Sequence, residues 1–403
     1  MSVGEHAQVA AKSGAALFAA VFLFVFADSV VQTVMPVTLE KTGAASAGVI
    51  GLMIALPQGI GFISSLPAAA FGDARGRARM VAFTSLLLGA AGLAMACLVG
   101  ASVVWWLLPV IMIGLTRLVA WVSILATVST TGNPHVMQGL NGATQRGAAA
   151  VAAIVAAVVV ASGIWQAAFV GVAVAMVALA PLTRSVLPST GAGYAAGPHP
   201  REAYGFARTV VIGDWGIRAS SLVAMCAMTV MTLGNSFFAL TVDGSPHRIA
   251  IILVILLLAR DVASILVGTV LPSLLIRLGI GGTVVVAGMC GSSGILMLAI
   301  PDLGWALMIV AAVLQGAAVC LCIGCTNLLA VNSTGGRPAG AGLRIAASNL
   351  IPCMGALLVP IAMGSTLQHL GRVPMFIGTA LLAGGLGLVA WRTIMAGFRD
   401  TRA

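Results

Sequence analysis

The sequence predicts an all-α membrane protein of twelve transmembrane helices arranged in two pseudo-symmetric six-helix bundles. The 403 residues are 60% hydrophobic and only 7% charged, whereas a soluble domain carries about 25% charged residues. Continuous apolar segments recur along the whole chain, and each reaches the roughly 20 residues that cross a bilayer core as a helix. A single long polar connection divides these segments six and six. Because the segments do not alternate between apolar and polar residues, a β-barrel is excluded.

The first six spans are predicted at 14–36, 47–71, 80–100, 103–128, 140–162 and 165–183, and they form an N-terminal bundle over residues 1–183. Residues 184–216 are predicted to be a cytoplasmic linker, flexible because its first part is rich in Pro, Gly and Ala. The other six spans are predicted at 217–241, 249–276, 281–300, 304–330, 341–363 and 374–396, within a C-terminal bundle over 217–403.

The distribution of basic residues predicts the orientation. With the N-terminus inside, fifteen Lys and Arg residues, including Arg146, fall in cytoplasmic segments, and three fall outside. Such a bias places the chain in the inner (plasma) membrane as a multi-pass protein with both termini cytoplasmic. The net charge of +10 is spread over short connections rather than one face, so nucleic acid is not an expected partner. We expect a monomer in a lipid bilayer, with a small-molecule substrate and protons as its partners.

Two segments suggest an internal repeat. The stretch GATQRGAA (142–149) opens the fifth span and GAGLRIAA (340–347) opens the eleventh. Each is followed by a short loop and a Phe-containing helix, WQAAFVG (165–171) and RVPMFIG (372–378). Six-helix halves related in this way are the usual architecture of secondary transporters, whose site lies at the midplane between the halves.

Other chemistries have little support in the sequence. All seven cysteines lie inside apolar segments, where free Cys behaves as a small buried hydrophobe. No His falls within a predicted span, and the chain has no glycine loop for a nucleotide. The sequence therefore predicts no enzyme activity, no metal site and no cofactor.

The connection after the second span, AAFGDARGRAR (69–79), resembles the motif G-x-x-x-D-R-x-G-R-R of the major facilitator superfamily. Asp73, Gly76, Arg77 and Arg79 stand in that frame, while Ala69 and Ala74 replace its first Gly and first Arg. Through the twelve-span pattern the resemblance covers essentially the whole chain, and it implies the fold of that family.

The resemblance implies a cytoplasmic gate made of Gly72, Asp73, Gly76, Arg77 and Arg79 with Arg344 at the start of the eleventh helix. In the family, Asp73 looks like a latch on that helix N-terminus, a contact worth up to about 2 kcal/mol. Gly72 and Gly76 permit a tight turn. The alternative is that the charges only set topology, and for the arginines we favour it.

Four charged residues lie in the central part of predicted spans, away from the span ends: Asp28, Arg117, Arg260 and Asp261. Each costs at least about 2.5 kcal/mol at the bilayer centre unless it is paired or hydrated, so each is a functional candidate. Helical spacing puts Phe24, Asp28 and Gln32 on one face, which is expected to line the interior. Asp28 precedes Pro36 on the first helix, which resembles a pattern of proton antiporters in the family.

Arg117 occupies the place of the family's helix-four Arg, with Trp121 one turn further along. Asp28 and Arg117 are expected to satisfy each other, directly or through Gln32 or water; the alternative is a permanent ion pair that only fixes packing. Arg260 and Asp261 are neighbours in sequence and point about 100° apart on a helix, so separate partners are expected. The predicted proton-coupling residues are Asp28, Arg117 and Asp261, and the predicted cavity residues are Phe24, Asp28, Gln32, Gln58, Arg117, Trp121, Asn235, Arg260 and Gln315.

The resulting hypothesis is a proton-coupled secondary active transporter that moves a small organic molecule by alternating access, in the direction of efflux. The alternatives are proton-coupled uptake of a small organic acid or metabolite, and a membrane receptor that does not transport.

Overall fold

The structure is a computed structural model, and it describes residues 3–130, 134–187, 200–242, 245–301, 303–333 and 341–400. The first half contributes six long helices: α1 (Val3–Lys41), α2 (Ala47–Arg75), α3 (Arg77–Cys97), α4 (Val103–Thr130), α5 (Pro134–Ser162) and α6 (Trp165–Val186). Each contains a stretch long and apolar enough to cross a membrane. The six spans predicted for this half are therefore all helical.

A further helix, α7 (Pro200–Gly213), precedes the second half, which consists of α8 (Trp215–Thr232), α9 (Pro246–Leu298), α10 (Trp305–Ser333), α11 (Ala341–Ser348), α12 (Leu350–Leu370) and α13 (Arg372–Asp400). α8 continues as a π-helical turn (Leu233–Phe237) and a 3-10 turn (Phe238–Thr241). α9 is long enough for two spans, and Gly279 interrupts it with φ 66° and ψ 174°. The described helices thus fit the predicted twelve-span fold.

Two glycines occupy matching positions in the halves. Gly76 joins α2 to α3 with φ 95°, and Gly279 separates the two spans of α9 with φ 66°. Both angles lie in the left-handed region, where residues with a Cβ are strained. Each glycine follows the second span of its half, so the shared backbone turn supports the internal repeat.

The eleventh span is divided by Pro352, which also explains the break between α11 and α12. A proline inside a helix cannot donate to the carbonyl four residues earlier, and its ring collides with that carbonyl. The carbonyl concerned belongs to Ser348, the last residue of α11. The Ser221 hydroxyl of α8 donates to it at 2.8 Å, so the released acceptor is satisfied by a neighbouring helix.

The linker contains ordered structure that differs from the predicted flexible segment. α7 buries Ala203 and Ala207 completely, against a small apolar cluster from α2, α4 and α11: Leu66, Ala69, Ala70, Val122, Ala346 and Ala347. The Tyr204 hydroxyl donates to the Ile63 carbonyl of α2, and partial burial raises the pKa of Tyr204 above its ordinary value. The sequence did not predict this short helix because the glycines and prolines before residue 200 indicate a flexible segment.

The two halves meet mainly along two pairs of helices, α2 with α12 and α5 with α9. α2 and α12 approach closely at the side of the bundle that carries the α1–α2 connection, which we call the loop side. A Cβ added to Gly364 would lie 2.6 Å from the Ala47 carbonyl oxygen, and one added to Gly51 would collide with the Pro360 carbonyl. On the same side, Gln368 accepts hydrogen bonds from the Ser46 hydroxyl at 3.1 Å and the Gly48 amide at 3.0 Å. The loop side is therefore closed in this structure; the side that carries the end of α13 is called the terminal side.

Candidate functional site between the halves

A cavity of about 250 Å³ lies between the halves and is lined by residues of both. Among the predicted cavity residues, it is lined by Phe24, Asp28, Gln32, Gln58, Arg117, Trp121, Asn235 and Arg260. Gln315, also predicted, is not among the lining residues. It borders a small void behind Arg260, and its Nε2 donates to the Gly294 carbonyl at 3.4 Å.

Asp28 and Arg117 contact each other directly. Arg117 Nη2 donates to Asp28 Oδ2 at 2.8 Å, and its Nε contacts Oδ1. Gln32, one turn further along α1, donates from Nε2 to the same Oδ2 at 2.7 Å. Both charged side chains remain partly exposed, by 15% for Arg117 and 20% for Asp28. The arrangement is a two-point ion pair at the cavity wall, with an amide as its third member.

An aromatic pair lies on the same wall. The rings of Phe24 and Trp121 stack with centroids 5.3 Å apart and planes 12° apart. Helical spacing places each ring one turn from the ion pair, since Phe24 precedes Asp28 by four residues and Trp121 follows Arg117 by four. The cavity thus offers a flat apolar surface beside a charged group.

The π-helical turn after α8 connects the second half to Gln32. Asn235 Nδ2 donates to Gln32 Oε1 at 3.5 Å, and the Ser236 hydroxyl donates to the Gln32 carbonyl at 3.1 Å. Wide π turns of this kind occur frequently at functional sites. Here the turn lies where the first and second halves hydrogen-bond across the cavity.

Arg260 and Asp261 contact each other, contrary to the expectation that neighbouring residues on a helix do not. The Arg260 guanidinium bends back so that its Nε and Nη2 each lie 3.3 Å from Asp261 Oδ1. Asp261 is completely buried, and a buried carboxylate needs a nearby counter-charge. Separate partners also exist, because Arg260 Nη1 donates to Asn235 Oδ1 at 2.7 Å.

Arg146 is the charged residue of the cavity that the sequence analysis missed. We counted it as cytoplasmic, yet it is 6% exposed, lines the cavity and places Nη1 3.6 Å from Asp261 Oδ1. It lies within the predicted fifth span, and this position is the signal that identifies it. A further hint is Gln145 beside it, which also lines the cavity.

These contacts form one polar network that crosses between the halves twice. It runs from Arg117 and Asp28 through Gln32 to Asn235, on through Arg260 to Asp261, and back to the first half at Arg146. A relative movement of the halves must change the links at Gln32–Asn235 and Arg146–Asp261.

The predicted gate lies at the end of α2 and the start of α3. Gly72 and Gly76 are buried, Arg77 is partly exposed and Arg79 is exposed. The side chains of Asp73 and Arg344 lie outside the described part of the structure. Within the part of the chain that is described, no group of His, Cys, Asp and Glu is arranged to hold a metal ion.

Comparison with known proteins agrees with this architecture. The family model described as Major Facilitator Superfamily matches residues 17–360, and a search of curated proteins found no match. Among solved structures, a mutant of the nucleoside transporter NupG aligns at 17% identity with a TM-score of 0.69. The human organic anion transporter MFSD10 (TETRAN) aligns at 12% identity with a TM-score of 0.67. Each alignment covers 95% of this chain and 99% of the other.

Proposed function

Because this chain belongs to the major facilitator superfamily and is a secondary transporter, we propose that it couples the movement of a small organic molecule to protons through Asp28. One observation carries the proposal: of the described residues that line the cavity, Asp28 is the only acid, and it is held by Arg117 and Gln32. A carboxylate that faces a substrate cavity and pairs with an arginine is suited to exchange a proton when the pair separates.

In the proposed coupling, Arg117 and the proton compete for the carboxylate of Asp28. A nearby cation favours the charged carboxylate, whereas burial without that cation favours the protonated acid. Gln32 contacts Asp28 and also accepts a hydrogen bond from Asn235 in the other half. Movement of the halves would therefore act on the ion pair through Gln32, which links proton binding to the exposure of the cavity.

For direction we propose efflux by antiport, as the resemblance around Asp28 and Pro36 to proton antiporters suggests. The stacked Phe24 and Trp121 rings suit an amphiphilic substrate. Proton-coupled uptake is the second candidate. It is favoured by the extra arginine of the cavity, Arg146, because a co-transported proton would neutralise an anionic substrate.

Reconstituted liposomes separate these directions. Purified protein is inserted into vesicles that contain a pH-sensitive dye, and a chemically diverse panel of small organic molecules is added outside. For antiport we expect entry of an active compound to make the lumen more alkaline; for symport it makes the lumen more acidic. Protein-free vesicles correct for passive permeation of weak acids and bases. A panel that moves no protons in either direction contradicts proton coupling.

We also propose that Asp73 biases the gate on the terminal side, as the motif in residues 69–79 implies. Replacing it by Asn removes the charge that would favour the N-terminus of the eleventh span. We expect Asp73→Asn to open the terminal side, with a longer distance between spin labels on α3 and α13 near that side. Arg79→Gln, which changes an exposed charge of the same loop, serves as the matched control. An unchanged distance in Asp73→Asn contradicts the latch.

A further inference from the structure

Arg146 is a buried cation with almost no hydrogen bonding. The residue is 6% exposed, and within the described part of the chain its Nη1 has no hydrogen-bond partner. The nearest acid oxygen, Asp261 Oδ1, lies 3.6 Å away, close enough for an ion pair but beyond hydrogen-bond distance. Among the residues that the structure describes, its Nη2 hydrogen-bonds only to the sulfur of Met231, at 3.9 Å. Since buried charges are normally paired and hydrogen-bonded, this guanidinium is poorly satisfied by the protein itself.

The charges around the cavity leave one positive charge in excess. The two acids, Asp28 and Asp261, are accompanied by three arginines. Asp28 is satisfied by Arg117 at two points. Asp261 is contacted by both Nε and Nη2 of Arg260. Arg146 is therefore the surplus cation, and the described cavity favours a ligand with one negative charge.

Two further polar groups of the cavity lack partners. Among the described residues, four buried side-chain polar atoms make no hydrogen bond, and three of them belong to Asn141, Arg146 and Thr326. All three residues line the cavity. Asn141 and Arg146 lie on α5 in the first half, and Thr326 lies on α10 in the second. Unpaired buried polar groups are rare in native structures, so their concentration here points to a ligand that completes them.

We infer that the cavity binds a small organic carboxylate, with Arg146 as the residue that holds its negative charge. The planar guanidinium fork matches a carboxylate at two points. Asn141 and Thr326 offer hydrogen bonds to a polar substituent, while Met228 and Met231 provide apolar contacts. The inference deepens the proposed function and rests on it in placing the substrate in this cavity. It uses a different residue from the proton site.

A purely structural role for Arg146 makes a different prediction. If the arginine serves only to hold α5 against α9 through Asp261, its removal weakens the fold and leaves ligand preference unchanged. Arg260 still accompanies Asp261 after that change, so we expect the neutral variant to fold. Arg146→Gln therefore tests ligand binding in a protein whose remaining cavity charges are balanced.

The experiment measures thermal stabilisation of the full-length protein in detergent. The probes are arylalkanoic acids of increasing chain length, including 4-phenylbutyrate, each paired with its uncharged primary amide. We expect at least one acid to raise the melting temperature in a dose-dependent manner at concentrations where its amide does not. In Arg146→Gln the apparent affinity for that acid should fall about tenfold or more, since a hydrogen bond to a charged group is lost. Arg218→Gln, the same change at an exposed arginine, should bind like the wild type.

Three results overturn the inference: no acid of the panel stabilises the protein, acid and amide stabilise it equally, or Arg146→Gln binds acids like the wild type. Should that variant not fold, Arg146→Lys replaces it. Lysine keeps the charge but loses the fork, so several-fold weaker binding is expected, and unchanged binding contradicts the inference.

The liposome assay separates this inference from the proposed function. Acids that bind through Arg146 but move no protons contradict proton coupling and leave the carboxylate site intact. Proton-coupled movement of neutral or cationic compounds alone contradicts the carboxylate site and leaves proton coupling intact.

Discussion

At the scale of single residues, the cavity shows three different solutions for a charge inside a membrane protein. Asp28 is neutralised by an arginine on another helix and an amide on its own. Asp261, completely buried, is neutralised by its neighbour in sequence. Arg146 is left with weak contacts. The first two arrangements neutralise the protein's own acids, whereas the third is the basis of the proposed carboxylate site.

The first prediction concerns Asp28. In Asp28→Asn we expect loss of accumulation driven by a pH gradient, while exchange of substrate across the membrane persists, because an amide resembles the protonated acid. The measurement compares the two activities in the same liposomes. The matched variant is Asp28→Asn with Arg117→Gln, which restores neutrality. Accumulation against a gradient by a well-expressed Asp28→Asn protein would argue against the proton-carrier role.

A permanent structural pair predicts another pattern for the same variants. Removing one partner of a buried ion pair costs about 3–5 kcal/mol, and less where, as here, both side chains are partly exposed to the cavity. Asp28→Asn would then express poorly, and the double variant would recover. Loss of proton-driven accumulation in a well-expressed Asp28→Asn protein therefore indicates a proton carrier, whereas poor expression that the double variant restores indicates a structural pair.

The sequence predicts those residues of the site whose type is unusual for their position in a span. An acid or arginine inside an apolar span is conspicuous, and so Asp28, Arg117, Arg260 and Asp261 were found. Arg146 was missed because an arginine near the end of a span also fits the rule for cytoplasmic charge. The contact between Arg260 and Asp261 depends on a side-chain conformation that helical spacing does not determine.

At the scale of elements, the departures from regular helices lie where the halves must interact. The π turn at Leu233–Phe237 carries both residues of the second half that hydrogen-bond to Gln32. The break before Pro352 frees the Ser348 carbonyl for Ser221. The twelve spans could be predicted from the length of the apolar segments, but a π turn has no comparable sequence signal. The short α7 could not be predicted either, because its alanine face is recognised only from the residues of α2, α4 and α11 that pack against it.

The second prediction concerns α7. Ala207 is completely buried in the cluster shared by α2, α4 and α11, so Ala207→Leu should overpack it at a cost of about 1–3 kcal/mol. We expect α7 to detach and trypsin to cleave faster after the exposed Arg208. Tyr204→Phe removes only the hydroxyl that donates to Ile63 and should accelerate cleavage less. Equal cleavage in Ala207→Leu and wild type would show that this packing does not hold α7.

At the scale of the whole molecule, the two halves form one closed surface on the loop side and share one polar network in the middle. The network ties α1, α4 and α5 to the π turn and α9. The Asp28–Arg117 ion pair is therefore physically connected, through Gln32, to the interface between the halves, as the proposed coupling requires. The distribution of basic residues predicts that the terminal side is cytoplasmic.

The third prediction tests that orientation. Thr209 on α7 and Thr42 at the α1–α2 connection are both exposed and lie on opposite sides of the bundle. In a background with the exposed Cys97 replaced by serine, Thr42→Cys should react with an impermeant thiol reagent in intact cells. Thr209→Cys should react only after the cells are opened. The reverse pattern would place the termini outside.

The last prediction tests whether the halves move apart on the loop side during transport. Ser46 and Gln368 hydrogen-bond across the halves at 3.1 Å, and alternating access requires this contact to open. In a cysteine-free background, Ser46→Cys with Gln368→Cys is joined by a short, reducible thiol crosslinker. We expect turnover to stop, ligand binding to remain, and dithiothreitol to restore turnover, because the fixed contact blocks only the opening. Thr42→Cys with Ser46→Cys, a pair within the first half, controls for the modification itself. Undiminished turnover in the crosslinked protein would mean that α2 and α12 stay together throughout the cycle, and the opening would then have to occur elsewhere along the interface.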